Sequence, residues 1–357
     1  MTKSINLALV GASGVVGTKI IQLLEKKGLA IDNFYPLGNA SAGQKLEFNS
    51  SEYTINNIDS FDPSKADLTI FSAGSEVAKK YGKAYVEAGS YVIDLSSHFR
   101  YEEDVPLVIP EINGAELETL NAPNLIANPN CSTSQLLVAL KPIHDELNIE
   151  FINIATYQAV SGTGKAAVEE LNNQTYFSES NHEPSVYPKP IAFNAIPQCD
   201  IFLDNNFTKE EMKLVWETHK ILDPNIAVQA TCVRVPVFNG HSEAVFFKTS
   251  SSTRRQDLLE LLKNVSGIKV LDNPDLLEYP TPVEHANDTE DVYVGRVRVQ
   301  ELANETWVSM WVVADNVYGK GAALNAVQIA QTLVCLLYTS DAADEGLGVD
   351  LGGRRII

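Results

Sequence analysis

Short apolar runs alternate with amphipathic stretches over the first third of the chain. The runs at 5–10, 68–71 and 91–95 have the length and composition of buried strands. Between them, residues 16–27 place Ile20, Ile21, Leu23 and Leu24 on one helical face, and residues 76–88 also follow a helical pattern. Strands that alternate with helices predict a parallel, doubly wound sheet.

The pattern changes to longer β-rich runs after residue 131. We predict strands at 149–160, 228–237, 242–249, 292–300 and 307–314, and helices at 132–144, 209–221 and 253–263. These segments predict a mixed, largely antiparallel sheet with helices on one face.

Together the two patterns predict an α/β chain with two domains. We assign residues 1–130 to a Rossmann-type dinucleotide-binding domain and residues 131–319 to an α+β catalytic and dimerisation domain. An amphipathic helix at 320–334 is expected to pack back onto the first domain. Residues 335–357 follow no sustained period and end in a Gly/Arg cluster, so we expect a non-native or disordered tail.

Gly11, Gly14 and Gly17 follow the first predicted strand and open the first predicted helix. Glycines in this context let the backbone approach a pyrophosphate, which the helix N-terminus stabilises with free N–H groups. The second strand, at 33–38, ends without the acidic residue that holds the ribose diol of NAD. Ala40 and Ser41 follow it and tolerate a 2′-phosphate, so the sequence predicts NADP.

One cysteine lies at a loop-to-helix junction, in the pentapeptide Asn-Pro-Asn-Cys-Ser at 128–132. The helix dipole is expected to lower the pKa of Cys131 and favour the thiolate. His241, in a turn between two predicted strands, is a candidate proton donor or acceptor. Arg234, on the preceding strand, can pair with a carboxylate through two parallel hydrogen bonds. A thiol and a nicotinamide cofactor together suit the interconversion of an activated acyl group and an aldehyde.

Charge and cysteine content narrow the classes of partner. The formal net charge of −19 argues against a nucleic acid or an anionic membrane as partner, and an anionic substrate then requires arginines and lysines clustered locally. The four cysteines show no C-x-x-C spacing, which is typical of a reduced, cytoplasmic protein without a metal site. We also find no run that is long and apolar enough to span a bilayer.

Several motifs together resemble one enzyme family, aspartate-semialdehyde dehydrogenase, over about residues 3–334. They are Pro-Asn-Cys-Ser-Thr at 129–133, Thr-Tyr-Gln-Ala-Val-Ser-Gly at 156–162, Ile-Ala-Phe-Asn-Ala-Ile-Pro-Gln at 191–198, Thr-Cys-Val-Arg-Val-Pro at 231–236 and Gly-His-Ser-Glu at 240–243. The segments 311–316 and 320–328 also match. This resemblance implies a cytoplasmic, NADP-dependent enzyme of lysine, threonine and methionine biosynthesis that acts as a homodimer.

The family's roles transfer to matching positions of this chain. The resemblance implies that Cys131 is the nucleophile that forms an acyl thioester, that His241 is the acid/base and that Gln158 orients the acyl intermediate. It implies that Arg234 binds the substrate α-carboxylate and Glu210 the α-ammonium group. The implied phosphate site consists of Arg100, Lys213 and the nearby Asn130. The implied cofactor contacts are Ala12, Ser13, Gly14, Val15, Ser161, Gly162 and Asn316.

Two alternatives stay open at this point. N-acetyl-γ-glutamyl-phosphate reductase shares the fold and the thiol, but not the pairing of Gln158 with Glu210. A catalytically silent paralogue is disfavoured because Cys131, Gln158, Arg234 and His241 occur together. The family's Arg within the segment that matches 39–43 is absent here, so we expect a reduced preference for NADP.

Overall fold

The computed structural model describes residues 4–120, 122–176 and 184–346. The first domain contains these elements: β1 (Ile5–Val10), α1 (Val15–Lys27), β2 (Ile31–Gly38), β3 (Lys45–Phe48), β4 (Ser51–Thr54), β5 (Asn56–Asn57), β6 (Leu68–Phe71), α2 (Ser75–Glu87), β7 (Tyr91–Asp94), α3 (Pro110–Asn113) and β8 (Leu125–Ala127).

A six-stranded parallel sheet forms the centre of this domain, in the order β5-β2-β1-β6-β7-β8. The predicted doubly wound sheet is therefore confirmed. The strands β2 and β5 lie on one side of β1, and β6, β7 and β8 lie on its other side. The strand order therefore reverses between β1 and β6, and the loops after these two strands lie at the same edge of the sheet. This edge is where a dinucleotide binds in open parallel sheets. A separate antiparallel hairpin, β3–β4, was not predicted because its short strands carry charged residues at exposed positions.

The second domain and the terminal helix contain these elements: α4 (Cys131–Leu147), β9 (Ile149–Gln158), α5 (Lys165–Tyr176), α6 (Lys209–Ile221), β10 (Ala227–Arg234), β11 (His241–Thr249), α7 (Arg255–Lys263), β12 (Ile268–Val270), α8 (Pro282–His285), β13 (Val292–Leu302), β14 (Glu305–Ala314) and α9 (Ala323–Gly346).

A second six-stranded sheet has the order β10-β9-β11-β14-β13-β12. The three central pairs are antiparallel, whereas β10 and β12 pair in parallel at the two edges. The predicted mixed, largely antiparallel sheet is confirmed. Residues on one face, such as Ile152, Ile154 and Phe247, are buried in the main apolar cluster together with residues of α4, α6 and α7. The sheet thus brings the carboxyl ends of β9 and β10 beside the start of α4.

The terminal helix differs from its predicted extent, because α9 begins at Ala323 and continues past residue 334 to Gly346. No proline or glycine interrupts the segment from 335 to 345, so the backbone can remain helical beyond the last predicted turn. Leu324, Val327 and Leu333 of α9 share an apolar cluster with Ile20 and Leu24 of α1. Residues 347–357 of the predicted tail lie outside the described residues. Of the helices that the structure describes, none is long and apolar enough to cross a membrane.

Candidate active site

Cys131 is the first residue of α4, and Asn130 caps this helix. The Asn130 Oδ1 atom accepts hydrogen bonds from the backbone N–H groups of Ser132 and Thr133, at 3.0 and 3.4 Å. Asparagine is a favoured N-cap because its side-chain oxygen satisfies helix N–H groups that have no partner within the helix. The cap therefore fixes the position from which the Cys131 thiol emerges.

The prediction of a lowered pKa for Cys131 is wrong. Burial, and then the carboxylate of Glu210, raise the pKa of the thiol to about 12. Arg234, Arg100 and Lys213 act in the opposite direction without outweighing these effects. The N-terminus of α4 adds little to the stabilisation of a thiolate, because two of the N–H groups that have no partner within the helix donate to the Asn130 side chain. The tertiary environment therefore favours the protonated thiol.

We expect the rate of Cys131 alkylation in the free protein to rise about tenfold per pH unit between roughly pH 6 and 9. The thiolate is the reactive form, and a pKa of about 12 keeps it a minor species over this range. The measurement is iodoacetamide labelling of Cys131, followed by mass spectrometry of the peptide that contains it. A plateau near neutral pH would show instead that the helix end lowers the pKa.

Glu210 joins three of the predicted site residues. Its Oε1 atom accepts hydrogen bonds from Asn130 Nδ2 and from Gln158 Nε2, both at 2.9 Å, and its Oε2 atom pairs with Lys213 Nζ at 2.8 Å. Burial favours the neutral acid, but Lys213 and these hydrogen bonds lower the pKa of Glu210 to about 2. Gln158 Nε2 also donates to Ser132 Oγ, at 3.1 Å. Glu210 is therefore a buried anion that ties the end of β9 to the residues beside the nucleophile.

Arg234 lies buried at the end of β10, and its guanidinium lies beside Gly162. Nη1 donates to the carbonyl oxygen of Ala159 at 2.7 Å, and the guanidinium lies 5.9 Å from the ring centroid of Tyr187. Its Nε atom has no hydrogen-bond partner among the described residues. A buried donor without a partner is costly, so this atom is available to a ligand acceptor such as a carboxylate.

His241 begins β11, and its ring is completely buried. The backbone N–H of Ala159 donates to Nδ1 at 3.0 Å, so the neutral ring carries its proton on Nε2. Burial and the positive charge of Arg234 lower the pKa of His241 to about 3, which keeps the ring neutral near pH 7. Nε2 finds no partner within the described part of the chain. The geometry thus presents an N–H that can donate to an oxygen anion.

Gly162 lies between these two side chains. A Cβ atom at this position would be 3.2 Å from Arg234 Nη1 and 3.1 Å from His241 Cε1. Next to it, Ser161 Oγ accepts a hydrogen bond from Asn316 Nδ2 at 3.0 Å, and Asn316 Oδ1 accepts one from Gly240 N at 2.9 Å. The structure therefore brings the predicted contacts from 161, 162 and 316 beside the histidine.

The glycine turn has the geometry that a dinucleotide requires. Gly11 has a φ of +83°, and a Cβ on Gly17 would lie 2.2 Å from the Gly11 carbonyl oxygen. Gly14 caps α1 without a side-chain hydrogen bond, which leaves the first N–H groups of the helix open to a phosphate. A cavity of about 460 Å³ beside the turn is lined in part by Ala12, Ser13 and Lys45. These residues fit a dinucleotide.

The remaining predicted cofactor residues are Val15, Ala40 and Ser41. Val15 is the first residue of α1 and is half-buried. Ala40 is exposed and Ser41 is half-buried in the turn that follows β2. Ser41 Oγ lies 2.3 Å from the position that a Cβ on Gly38 would take, so Gly38 makes room for the turn. Among the described residues, no group of His, Cys, Asp and Glu could hold a metal ion.

Glu217, which is fully buried on α6, was not predicted as a site residue. Its Oε1 atom pairs with Arg100 Nη1 at 3.0 Å, and its Oε2 atom accepts the backbone N–H of Asn130 at 2.7 Å. Glu210, Lys213 and Glu217 have the spacing i, i+3, i+7 and therefore share one face of the helix. That spacing was the available signal, because Leu214 and Ile221 mark the same face as buried.

Comparisons with known proteins give a single result. Residues 6–120 match the family model described as semialdehyde dehydrogenase, NAD binding domain, and residues 140–318 match the one described as semialdehyde dehydrogenase, dimerisation domain. Relatives named aspartate-semialdehyde dehydrogenase match it at 44–47% identity. The chain belongs to the aspartate-semialdehyde dehydrogenase family. It is therefore an oxidoreductase with a nicotinamide-dinucleotide-binding domain, and the resemblance drawn from its motifs is confirmed.

Individual relatives agree over nearly the whole chain. The chain is 47% identical to an aspartate-semialdehyde dehydrogenase of Shewanella sp. (strain DB6705), over 94% of this chain and 99% of the relative. The crystal structure of aspartate semialdehyde dehydrogenase II from Vibrio cholerae is 45% identical, with a TM-score of 0.89 over 93% of this chain and 99% of that chain. A crystal structure of the Vibrio cholerae enzyme complexed with ASA is 44% identical, with a TM-score of 0.90 and the same coverage.

Proposed function

We propose that the chain catalyses the NADPH-dependent reductive dephosphorylation of L-4-aspartyl phosphate to L-aspartate 4-semialdehyde through an acyl thioester on Cys131. The observation that carries this proposal is a set of three buried cations around Cys131. Arg100 and Lys213 pair with Glu217 and Glu210, which both contact Asn130, and the guanidinium of Arg234 lies beside Gly162. In a chain with a net charge of −19, such a cluster suits a substrate with several negative charges.

Each end of the substrate has a complementary group. The open Nε edge of Arg234 binds the α-carboxylate, and Glu210, which is held ionised, binds the α-ammonium group. Arg100 and Lys213 bind the phosphate, with Asn130 beside them. The thiol of Cys131 then attacks the acyl carbon, the bond from this carbon to the phosphate oxygen breaks, and inorganic phosphate leaves with the thiol proton. Gln158, at the end of β9 beside Ser132, orients the thioester.

His241 acts as a hydrogen-bond donor to the reacting oxygen in the second half of the reaction. When bound at the glycine turn and at residues 161, 162 and 316, the reduced cofactor supplies the hydride. His241 Nε2 donates a hydrogen bond to the resulting oxyanion on the former carbonyl. As the carbon–oxygen double bond forms again, the carbon–sulfur bond breaks and releases the aldehyde and the thiolate, which takes up a proton from solvent. The hydrogen bond from Ala159 to Nδ1 supports this role, because it keeps the proton on Nε2.

The test is an assay in the reverse direction with purified protein. NADP⁺ reduction should require both aspartate semialdehyde and inorganic phosphate. N-acetylglutamate semialdehyde should be a poor substrate, because its amide nitrogen offers no positive charge to Glu210. Equal or faster turnover of the acetylated substrate would favour an N-acetyl-γ-glutamyl-phosphate reductase. No turnover of either substrate, with Cys131 still open to alkylation, would indicate a silent paralogue.

The cofactor is expected to be NADP, with a preference of roughly tenfold in kcat/KM over NAD, or about 1.4 kcal/mol. Ala40 and Ser41 follow β2 without the carboxylate that binds the ribose diol of NAD in this fold, which supports NADP. Lys45 lines the neighbouring cavity and pairs with the exposed Glu52 at 2.6 Å, so its ammonium group can exchange this partner for a phosphate. Comparison of kcat/KM for the two cofactors checks the prediction, and a preference for NAD would refute it.

We also place the enzyme in the cytoplasm as a homodimer. The four cysteines are free thiols, which suits a reducing compartment. The outer face of the second sheet carries aromatic side chains. The rings of Phe246 and Trp307 stack at a centroid distance of 4.8 Å, and those of Tyr157 and Trp311 are tilted at 5.4 Å. Tyr157 is 37% exposed in the single chain. A sheet face of this composition is typical of a surface that a second copy covers.

Replacing Phe246 by glutamate should convert the dimer to a monomer. The substitution places a charge at the centre of the aromatic face, where burial in the dimer would remove it from water. Light scattering after size-exclusion chromatography measures the mass, and circular dichroism checks the fold. A folded variant that keeps the mass of a dimer would exclude this face as the interface.

A further inference from the structure

Glu217 is fully buried, and its two oxygen atoms serve two different parts of the site. Oε1 accepts hydrogen bonds from Arg100 Nη1 at 3.0 Å and from the Tyr101 hydroxyl at 3.2 Å. Oε2 accepts the backbone N–H of Asn130 at 2.7 Å. One carboxylate therefore contacts a residue of the proposed phosphate site and the residue that immediately precedes the nucleophile.

We infer that Glu217 is a positioning residue that couples Arg100 to the backbone at Asn130, so that the phosphate site and Cys131 are held in one geometry. The inference rests on the proposed function for the role of Arg100. Arg100 is held on two sides, by Glu217 and by the carbonyl oxygen of Leu95, which accepts from Nη2 at 3.0 Å. Its Nε atom has no hydrogen-bond partner in the described part of the chain and stays open to a phosphate oxygen.

The contact with Asn130 acts on the nucleophile. An N–H that donates to a buried carboxylate forms a charge-assisted hydrogen bond, which is stronger than a neutral one. This bond fixes the backbone one residue before Cys131. Glu210 does not hold this backbone N–H, because its oxygen atoms accept from Gln158, Lys213 and the Asn130 side chain. The two carboxylates thus hold Asn130 by its side chain and by its backbone.

A carboxylate beside a phosphate site can repel the phosphate, or it can hold a phosphate-binding arginine in place. Its removal changes the affinity for phosphate in opposite directions in these two cases. Its charge repels phosphate, so removing a carboxylate that only repels should strengthen phosphate binding. A carboxylate that holds the arginine in place should weaken phosphate binding when it is removed. The Michaelis constant for inorganic phosphate therefore distinguishes a positioning residue from a bystander.

The decisive variant is Glu217→Gln, assayed by phosphate-dependent NADP⁺ reduction with aspartate semialdehyde. We expect KM for phosphate to rise about tenfold or more, while KM for NADP⁺ stays unchanged. Alkylation of Cys131, without phosphate or substrate, should slow at least severalfold. Glu211→Gln is the matched control, because Glu211 is buried on the same helix, and within the described residues its carboxylate accepts only from the backbone of Thr208 and Cys232. It should leave both quantities unchanged.

A second pair of variants covers the case in which Glu217→Gln leaves Arg100 buried without a partner and does not fold. Arg100→Met combined with Glu217→Gln removes both charges. Compared with Arg100→Met alone, it should show no further rise in KM for phosphate, but it should still slow the alkylation of Cys131. A lower or unchanged KM for phosphate in folded Glu217→Gln, or equal alkylation rates in the pair, would overturn the inference. The alkylation measurement needs no substrate, so its result is independent of the proposed reaction.

Discussion

Replacing Cys131 by alanine is expected to reduce kcat by several orders of magnitude, because the substitution deletes the atom that attacks the acyl carbon. The side chain is small and only partly buried, at the first position of α4, and Asn130 can still cap the helix. The fold and cofactor binding should therefore persist. Turnover, the melting temperature and NADPH fluorescence on binding are the three measurements.

Cys335→Ala is the matched control for this variant. Cys335 is an exposed free thiol on α9, in the terminal helix rather than in the cluster around Glu210. Its removal should leave kcat and NADPH binding unchanged. If folded Cys131→Ala retained more than a few per cent of wild-type activity, the acyl-thioester route would be refuted.

Replacing Arg234 by lysine is expected to raise KM for aspartate semialdehyde by about 10- to 100-fold and to leave KM for NADP⁺ nearly unchanged. The guanidinium donates to Ala159 through Nη1 and keeps Nε open, so it can hold the backbone and a carboxylate at the same time. An ammonium group offers a single point of charge and loses one of two parallel hydrogen bonds, which costs about 1.5–3 kcal/mol.

The measurement is a pair of Michaelis constants, one for each substrate, in the reverse reaction. Arg254→Lys is a suitable control, because Arg254 is an exposed arginine that pairs with Asp257 on the surface. It should change neither constant. An unchanged KM for the semialdehyde in Arg234→Lys would remove Arg234 from the carboxylate site, and an equal rise in both constants would indicate a general distortion.

Much of the fold follows from local patterns. The strands β1, β6 and β7 and the helices α1 and α2 match their predicted positions within about two residues, because a buried parallel strand and an amphipathic helix leave unambiguous periods. The five long strands of the second domain were also predicted. The hairpin β3–β4, the short strands β8 and β12 and the extension of α9 were not, because short or polar segments leave no period to detect.

The sequence by itself determined which functional groups are present. They are a glycine turn between a strand and a helix, one thiol at the start of a helix, and the motifs that carry Gln158, Arg234 and His241. Only the tertiary structure decided how these groups behave. Burial beside Glu210 raises the pKa of Cys131, although its local position predicts the opposite. Ala159 sets the tautomer of His241, and Glu217 links Arg100 to Asn130 across more than eighty residues of sequence. Desolvation and hydrogen bonds between distant segments depend on which residues meet in space, and no local period records this.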